Sequence, residues 1–206
     1  NDLQPEPVLK KQSFSLASSS FEDHNEGSMT IFQYPKFSEH FIIGADVALG
    51  VGQDSSAAVV MNTKREVVAL YRNNKIDPTE YGDLLFYLGR YYNNALLAVE
   101  SNSLGIATLN RLKQMSYVNL YHQTKVANVS NEEGTRLGWR TTQATKPMII
   151  GHLKNAIEND DINLASPTII QECKDYVADE NGRTNAIKGC NDDTVIATAI
   201  ALEVLR

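Results

Sequence analysis

Hydrophobic residues are grouped into short runs, and the first runs predict a sheet that begins with antiparallel strands. Apolar runs over 41–47, 57–61 and 67–71 have the length of buried strands. The connections between them are short and polar or glycine-bearing, and strands joined in this way pair antiparallel. The sequence therefore predicts a three-stranded antiparallel meander.

Beyond this meander, helical and strand patterns alternate. Pro78 stands near a helix start, and apolar residues follow at helical spacing as far as Tyr92. Next come a strand over 95–99, a helix over 106–112, a strand near 120–121, a polar loop over 127–145, a helix from Pro147, a short strand over 162–164, a helix from Pro167, a hairpin around 181–182 and a last helix over 194–205. This order predicts an α/β fold, a mixed sheet flanked by helices that matches the ribonuclease H-like architecture.

The first 30 residues show neither period. They contain Pro5, Pro7 and a serine run over 18–20, which is typical of a linker or an arm. The chain opens on Asn1 without a secretory signal pattern. We therefore expect a piece of a longer polypeptide, or a processed one, with residues 1–30 as the connection to another domain and residues 31–206 as the folded domain.

Composition limits the class of protein further. A chain of 206 residues with 42% hydrophobic residues suits one domain with a proper core, and it has no apolar run long enough to span a membrane. The two cysteines make no disulfide framework, which favours a reducing compartment. The formal charge of −6 argues against binding nucleic acid by overall positive charge, but it leaves room for an enzyme whose carboxylates hold metal.

Acidic residues stand at the ends of three apolar elements. Asp46 lies in the first strand, Glu100 ends the strand over 95–99, and Asp192 and Asp193 begin the last helix. Each has a simpler interpretation, because a strand can end at water and aspartate is favoured at helix starts. Asp54 follows a glycine-bearing turn and is a weaker candidate, since a turn aspartate can bond to its own backbone.

Taken together, the acidic residues indicate a metal site. In a ribonuclease H-like sheet the first and fourth strands are neighbours and the last helix packs across them, so these carboxylates would converge. Carboxylates gathered at one point repel one another unless divalent cations lie between them. Oxygen ligands without a Cys/His cluster favour Mg²⁺ or Mn²⁺, and two such ions about 4 Å apart could drive phosphodiester hydrolysis.

The segment from 121 to 154 is basic within this acidic chain. Its cations, with only Glu132 and Glu133 against them, give a local charge of +3, and phosphate backbones are held by such side chains. Trp139 is either a core residue or a platform for base stacking. The candidate DNA contacts are Lys125, Arg136, Arg140 and Lys146.

Three motifs carry a family resemblance. The run Ile-Gly-Ala-Asp-Val-Ala over 43–48, with Gly-Gln-Asp-Ser-Ser-Ala over 52–57, resembles the first strand and turn of the large terminase nuclease domain of tailed bacteriophages. Gly-Trp-Arg-Thr-Thr over 138–142, followed by residues 145–150, resembles the segment that leads into a helix of that family. Asn-Asp-Asp-Thr over 191–194 is similar to its closing helix, and residues 99–102 fit its middle acidic position.

The resemblance, which covers about residues 30–206, implies a metal-dependent endonuclease that cuts concatemeric viral double-stranded DNA with little sequence preference. It implies that Asp46, Glu100 and one or both of Asp192 and Asp193 are metal ligands. It also implies a packaging ATPase domain, a small terminase subunit and the procapsid portal as partners, in the host cytoplasm. The family often has His where this chain has Asn191, so no role is assigned to that side chain.

Three other functions remain open at this level. A Holliday-junction resolvase of the RuvC type shares the fold and the acidic site, but it would prefer four-way junctions. An actin-like or sugar-kinase ATPase would use glycine-rich phosphate loops, which residues 50–54 imitate only once. A non-catalytic docking module of the packaging motor would leave its carboxylates solvated.

Overall fold

A seven-stranded mixed sheet, covered by helices on both faces, forms the centre of the protein. The computed structural model describes residues 3–52, 54–124, 134–178, 184–186 and 191–206. The strands of the sheet lie in the order β2-β1-β3-β6-β5-β4-β7, and two further two-stranded sheets pair β8 with β9 and β10 with β11. The strands are β1 (Lys10–Ser15), β2 (Ser20–Asp23), β3 (Met29–Ile31), β4 (Phe41–Asp46), β5 (Ser56–Asn62), β6 (Val67–Asn73), β7 (Leu96–Val99), β8 (His122–Thr124), β9 (Thr135–Leu137), β10 (Tyr176–Ala178) and β11 (Thr184–Ala186). The helices are α1 (Pro78–Tyr91), α2 (Gly105–Gln114), α3 (Thr145–Glu158), α4 (Pro167–Lys174) and α5 (Asp193–Leu205).

The predicted α/β class and the central elements are confirmed. Strands β4, β5 and β6 form the antiparallel meander, and β7 joins β4 in parallel after the α1 crossover. The predicted strand over 162–164 is reduced to a single bridge between Glu66 and Asn163. The predicted loop over 127–145 contains β9, and its residues 125–133 lie outside the described part.

Residues 1–30, predicted to be a linker or an arm because they show neither period, form part of the central sheet. This segment contributes β1, β2 and the start of β3, and β3 pairs antiparallel with β6, so the segment extends the sheet by three strands. No more than two of its residues in a row are apolar, and β1 and β2 are only half-buried. The sheet edge supplies the pairing that the local pattern does not indicate. Whether the segment also connects to another domain stays a prediction.

The two faces of the sheet carry separate cores. Along β5, Val59 and Met61 face the core that contains α3, α4 and α5, whereas Ala58 and Val60 face the core that contains α1 and α2. This alternation follows from the two-residue period of a strand. It explains why every residue of β5 is buried. In the described ranges, no helix is both long enough and apolar enough to cross a membrane.

Helix α5 is apolar on all sides, as expected for a helix enclosed by other elements. It packs across β4, and Gly44 permits the close approach. A Cβ atom at Gly44 would lie 2.1 Å from the backbone oxygen of Ala197. The missing side chain in β4 therefore sets how closely the start of α5 approaches the end of that strand.

Candidate active site

Parallel pairing of β4 and β7 brings Asp46 and Glu100 together. Ala45 is the register partner of Val99, so the next residues, Asp46 and Glu100, follow side by side at the same edge of the sheet. The backbone N–H of Glu100 donates to the carbonyl oxygen of Ala45 at 2.8 Å and fixes this register. Two acidic residues that are 54 positions apart in the printed sequence thus become neighbours.

The environment of Asp46 opposes its negative charge. Burial first, then the charge of Glu100 and a hydrogen bond shared with its side chain, and then the charge of Asp193 raise the pKa of Asp46 well above its ordinary value. The backbone N–H of Val47, which donates to Oδ1 at 2.9 Å, acts in the opposite direction. Among the described residues, neither Asp46 nor Glu100 forms an ion pair with a basic side chain. This pair therefore needs a proton or a bound cation.

Asp193 approaches the same edge from the first turn of α5. Its side chain is buried, and its Oδ2 accepts the backbone N–H of Ser55 at 3.0 Å. Burial raises the pKa of Asp193 to about 6, with the charge of Glu172 adding to the shift and the Ser55 hydrogen bond reducing it. Since Asp193 also raises the pKa of Asp46, its charge is felt at the Asp46–Glu100 pair.

Two residues of this region were not anticipated from the sequence, Glu172 of α4 and Arg72 of β6. Glu172 is buried, and its Oε2 accepts the backbone N–H of Thr194 at 2.9 Å and the Thr194 hydroxyl at 2.5 Å. Arg72 lies between two carboxylates, with Nε 3.7 Å from Glu172 Oε1 and Nη2 3.9 Å from Asp193 Oδ2. Glu172 thus binds the first turn of α5 through Thr194, and the charge of Arg72 partly compensates the charges of Glu172 and Asp193. A glutamate in an eight-residue helical pattern gave no signal of this long-range contact.

The neighbouring aspartates, Asp192 and Asp193, occupy different environments. Asp192 stands one residue before α5 and its Oδ2 lies 3.1 Å from Lys146 Nζ, whereas Asp193 lies buried towards Asp46. Asp192 makes no side-chain hydrogen bond that caps the helix. The structure therefore brings Asp193 to the Asp46–Glu100 pair and directs Asp192 to a cation of α3.

The remaining acidic candidate, Asp54, is exposed in the connection between β4 and β5, and it has no hydrogen bond or ion pair with another described residue. Within the described ranges, no group of three or more His, Cys, Asp or Glu side chains is arranged so that it could hold a metal ion. What the structure provides is the Asp46–Glu100 pair, with the charge of Asp193 near enough to raise the pKa of Asp46. An all-oxygen donor set of this kind fits a hard divalent cation and does not fit a site that needs nitrogen or sulfur ligands.

The basic candidates are distributed over different places. Arg136 lies half-buried in β9 and Arg140 is exposed just after it, while Lys146 is engaged with Asp192 in the first turn of α3. Lys125 falls outside the described residues. Trp139 is buried in the core with its ring centroid 6.3 Å from that of Tyr121, so of its two interpretations the structure favours the core residue.

A mixed sheet with antiparallel β4–β6, a parallel β7 and an acidic cluster at the carboxyl ends of β4 and β7 defines a ribonuclease H-like protein. Residues 43–205 match the family described as "Terminase RNaseH-like domain". Because this match covers most of the chain, the chain belongs to that family. The predicted resemblance is thereby confirmed.

Solved structures agree with this assignment at the level of the fold. The large terminase nuclease from thermophilic phage G20c is 18% identical, with a TM-score of 0.66 over 87% of this chain and 90% of that one. The same nuclease with bound magnesium is 18% identical, with a TM-score of 0.68 over 96% of this chain and 98% of that one. The large terminase nuclease domain of Thermus phage P74-26 gives 0.64 at 19% identity over 86% of each chain. No curated protein matches.

Proposed function

We propose that the chain is the nuclease domain of a large terminase subunit, a metal-dependent endonuclease that cuts concatemeric double-stranded DNA with little sequence preference. The observation that carries this proposal is the Asp46–Glu100 pair. Two carboxyl groups are held side by side at the carboxyl ends of β4 and β7, and no basic side chain of the described residues pairs with either. Placing two buried carboxylates next to each other does not stabilise the fold, because burial and their mutual repulsion both oppose ionisation.

Asp46 and Glu100 are the first ligands that we propose, and Asp193 is the third. The charge of Asp193 reaches Asp46, whereas Asp192 is paired with Lys146 and is the weaker choice. Asp54, the weaker candidate from the sequence, is exposed and is left out of the ligand set that we propose. When bound, two divalent ions would supply an activated water and stabilise the leaving oxygen in phosphodiester hydrolysis. The protein's own part is to hold the three carboxylates: β4 and β7 fix two of them, and Ser55 fixes one oxygen of Asp193.

The choice of Mg²⁺ or Mn²⁺ rests on the all-oxygen donor set. The G20c nuclease, which has a similar fold, was solved with bound cobalt, magnesium and zinc. That range of ions suits a carboxylate site that accepts several divalent cations. For this chain we propose Mg²⁺ or Mn²⁺, with two ions in the working site.

The DNA contacts that we propose first are Arg136 and Arg140. Lys125 and Lys146 are weaker candidates, and the charge of Lys146 is partly balanced by Asp192. As part of a terminase, the domain would work beside a packaging ATPase, a small terminase subunit and the procapsid portal in the host cytoplasm. These partners follow from the family and not from any surface described above.

Plasmid cutting tests the function directly. Wild-type protein should nick or linearise supercoiled plasmid with Mn²⁺ or Mg²⁺ and should stop when a chelator is added. Asp46→Asn should reduce cutting by about a thousandfold or more, because the metal ligand is lost. Asp54→Asn is the matched control, since it removes the same charge from an exposed turn, and it should cut like wild type.

Metal binding is measured separately by the shift in Tm that Mn²⁺ produces. We expect a rise in wild type and in Asp54→Asn, and none in Asp46→Asn, because binding to the folded state stabilises it. Full cutting by Asp46→Asn would remove Asp46 from the site. A four-way junction cut much faster than linear duplex would favour the resolvase instead.

A further inference from the structure

A cavity of about 660 Å³ opens beside Glu100, between α2 and β9. Its wall begins with Ser101 and Asn102, the two residues that follow Glu100. Asn102 Nδ2 donates to Glu100 Oε2 at 2.7 Å, and Asn102 Oδ1 accepts the backbone N–H of Gly105 at 2.8 Å. The cavity is therefore continuous with the proposed metal site through a side chain that contacts both.

The opposite wall is held firmly next to Glu100. The backbone N–H of Trp139 donates to the carbonyl oxygen of Val99 at 2.8 Å, and the N–H of Ser101 donates to the carbonyl oxygen of Trp139 at 2.6 Å. Gly138 has a φ of +76°, and a Cβ atom there would lie 2.5 Å from the oxygen of Val99. Glycine at this position lets the segment that carries Arg136 and Arg140 run against the end of β7.

The charge of the cavity is positive. Lys113 from α2 and Arg136 and Arg140 from the opposite wall line it, and its lining contains no acidic residue. In the part of the chain that the structure describes, no carboxylate forms an ion pair with any of these three cations. Three cations without a carboxylate partner among the described residues give this cavity a positive potential within a chain of formal charge −6, and such a potential suits an anionic ligand.

The floor of the cavity is apolar. Ile106 is 52% exposed, and Leu109 and Leu137 line the cavity with it. A small inorganic anion would gain nothing from this floor. A sugar–phosphate backbone combines anionic phosphates with the apolar face of a deoxyribose, so it can use the cations and the floor together.

We propose that this cavity holds the sugar–phosphate backbone of the DNA strand beside the position that is cut, with Lys113, Arg136 and Arg140 as phosphate contacts. The proposal rests on the nuclease function proposed above and deepens it. Its new element is Lys113, which lies in α2 and therefore outside the basic segment over 121–154. The geometry gives α2 a role in substrate binding: it supplies one wall of the DNA path and, through Asn102 before it, a contact to Glu100.

The test measures binding of a fluorescent duplex in the Asp46→Asn background, which leaves the DNA intact. Lys113→Ala should weaken binding and lower the slope of log affinity against log salt by about 0.9. Between about 50 and about 200 mM salt, affinity should then fall about 3.5-fold less than in the parent. Lys36→Ala is the matched control: the Lys36 side chain is 72% exposed, pairs with Glu39 and precedes the amino end of β4, whereas the cavity lies beyond the carboxyl end of β7.

A second measurement does not depend on a substitution. Bound duplex should protect the Lys113 amine from acetylation and leave the Lys36 amine reactive, as read by mass spectrometry. If Lys113→Ala matches Lys36→Ala in affinity and slope while wild type cuts plasmid, the cavity is not part of the DNA path. If duplex binds through Lys113 but the wild type fails to cut DNA with any divalent metal, the nuclease function fails and the cavity stands as a DNA-binding site.

Discussion

The acidic side chains at the end of the sheet form two groups that differ in how their charge is compensated. Glu172, Asp193 and Asp192 each contact N–H groups, a hydroxyl or a basic side chain. Asp46 and Glu100 also accept hydrogen bonds, from the Val47 N–H and from Asn102 Nδ2, but no basic side chain of the described residues pairs with either of them. The first group has a structural explanation in the placement of α5. The second group has no such explanation. An unfavourable burial of charge that is kept without a structural benefit is characteristic of functional sites.

The largest effect that would sharpen this comparison is expected at Glu172. Glu172→Ala removes a charged acceptor from the N–H and hydroxyl of Thr194 and leaves Arg72 with less compensation, so we expect the free energy of unfolding to fall by about 3 kcal/mol. Denaturant unfolding measures it. Glu158→Ala, at an exposed pair with Lys154, is the control and should stay within about 0.5 kcal/mol of wild type. Equal losses in both variants would contradict the role of Glu172.

At Asp46 a substitution is expected to increase the free energy of unfolding, opposite to the decrease expected at Glu172. In chelator, Asp46→Asn should raise the free energy of unfolding by about 1.5 kcal/mol, or Tm by about 3–6 °C, because it removes a buried charge opposed by Glu100 and keeps the acceptor for the Val47 N–H. Thermal unfolding measures it, with Asp54→Asn unchanged as the control. A variant less stable than wild type would place Asp46 in the compensated group and break the comparison.

A smaller effect is expected at Arg72. Its guanidinium lies 3.7 Å from Glu172 and 3.9 Å from Asp193 and is about one-third exposed, so Arg72→Met should lower the free energy of unfolding by about 1 kcal/mol. In a double-mutant cycle with Glu172→Gln, the two losses should not add, because both variants disrupt the same contact. Strict additivity would show that Arg72 does not compensate Glu172.

The smallest effect is expected at the Lys146–Asp192 pair. Both side chains are more than a quarter exposed, and such pairs contribute about 0.2–1 kcal/mol. Lys146→Met and Asp192→Asn should each change stability by about 0.5 kcal/mol, with a coupling of the same size in the double variant. Asp192→Asn should also retain a Tm rise with Mn²⁺. Loss of that rise would make Asp192 a ligand and move it into the group with Asp46.

The edge of the sheet shows why part of the fold escaped prediction. The strands β4 to β7 are apolar on both faces, so their composition alone indicates them. Strands β1 and β2 are half-exposed and rich in serine and charged residues. Strand β2 pairs with β1, β1 pairs with β3, and β3 joins β6 across about 40 residues of chain. Edge strands take their structure from the strand beside them, and a local pattern carries little of that information.

The sequence by itself determined the central meander, the crossover to β7 and the places where acidic residues end apolar elements. Strands that are buried on both faces consist of continuous apolar residues, and such runs are visible in the sequence. Only the tertiary structure decided which acidic residues meet. Asp192 stands just before α5 with a non-helical backbone and pairs with Lys146, whereas Asp193, in the first turn of α5, is buried and its charge reaches Asp46. Glu172 and Lys113 likewise acquire their surroundings from elements distant in the chain, which packing alone brings together.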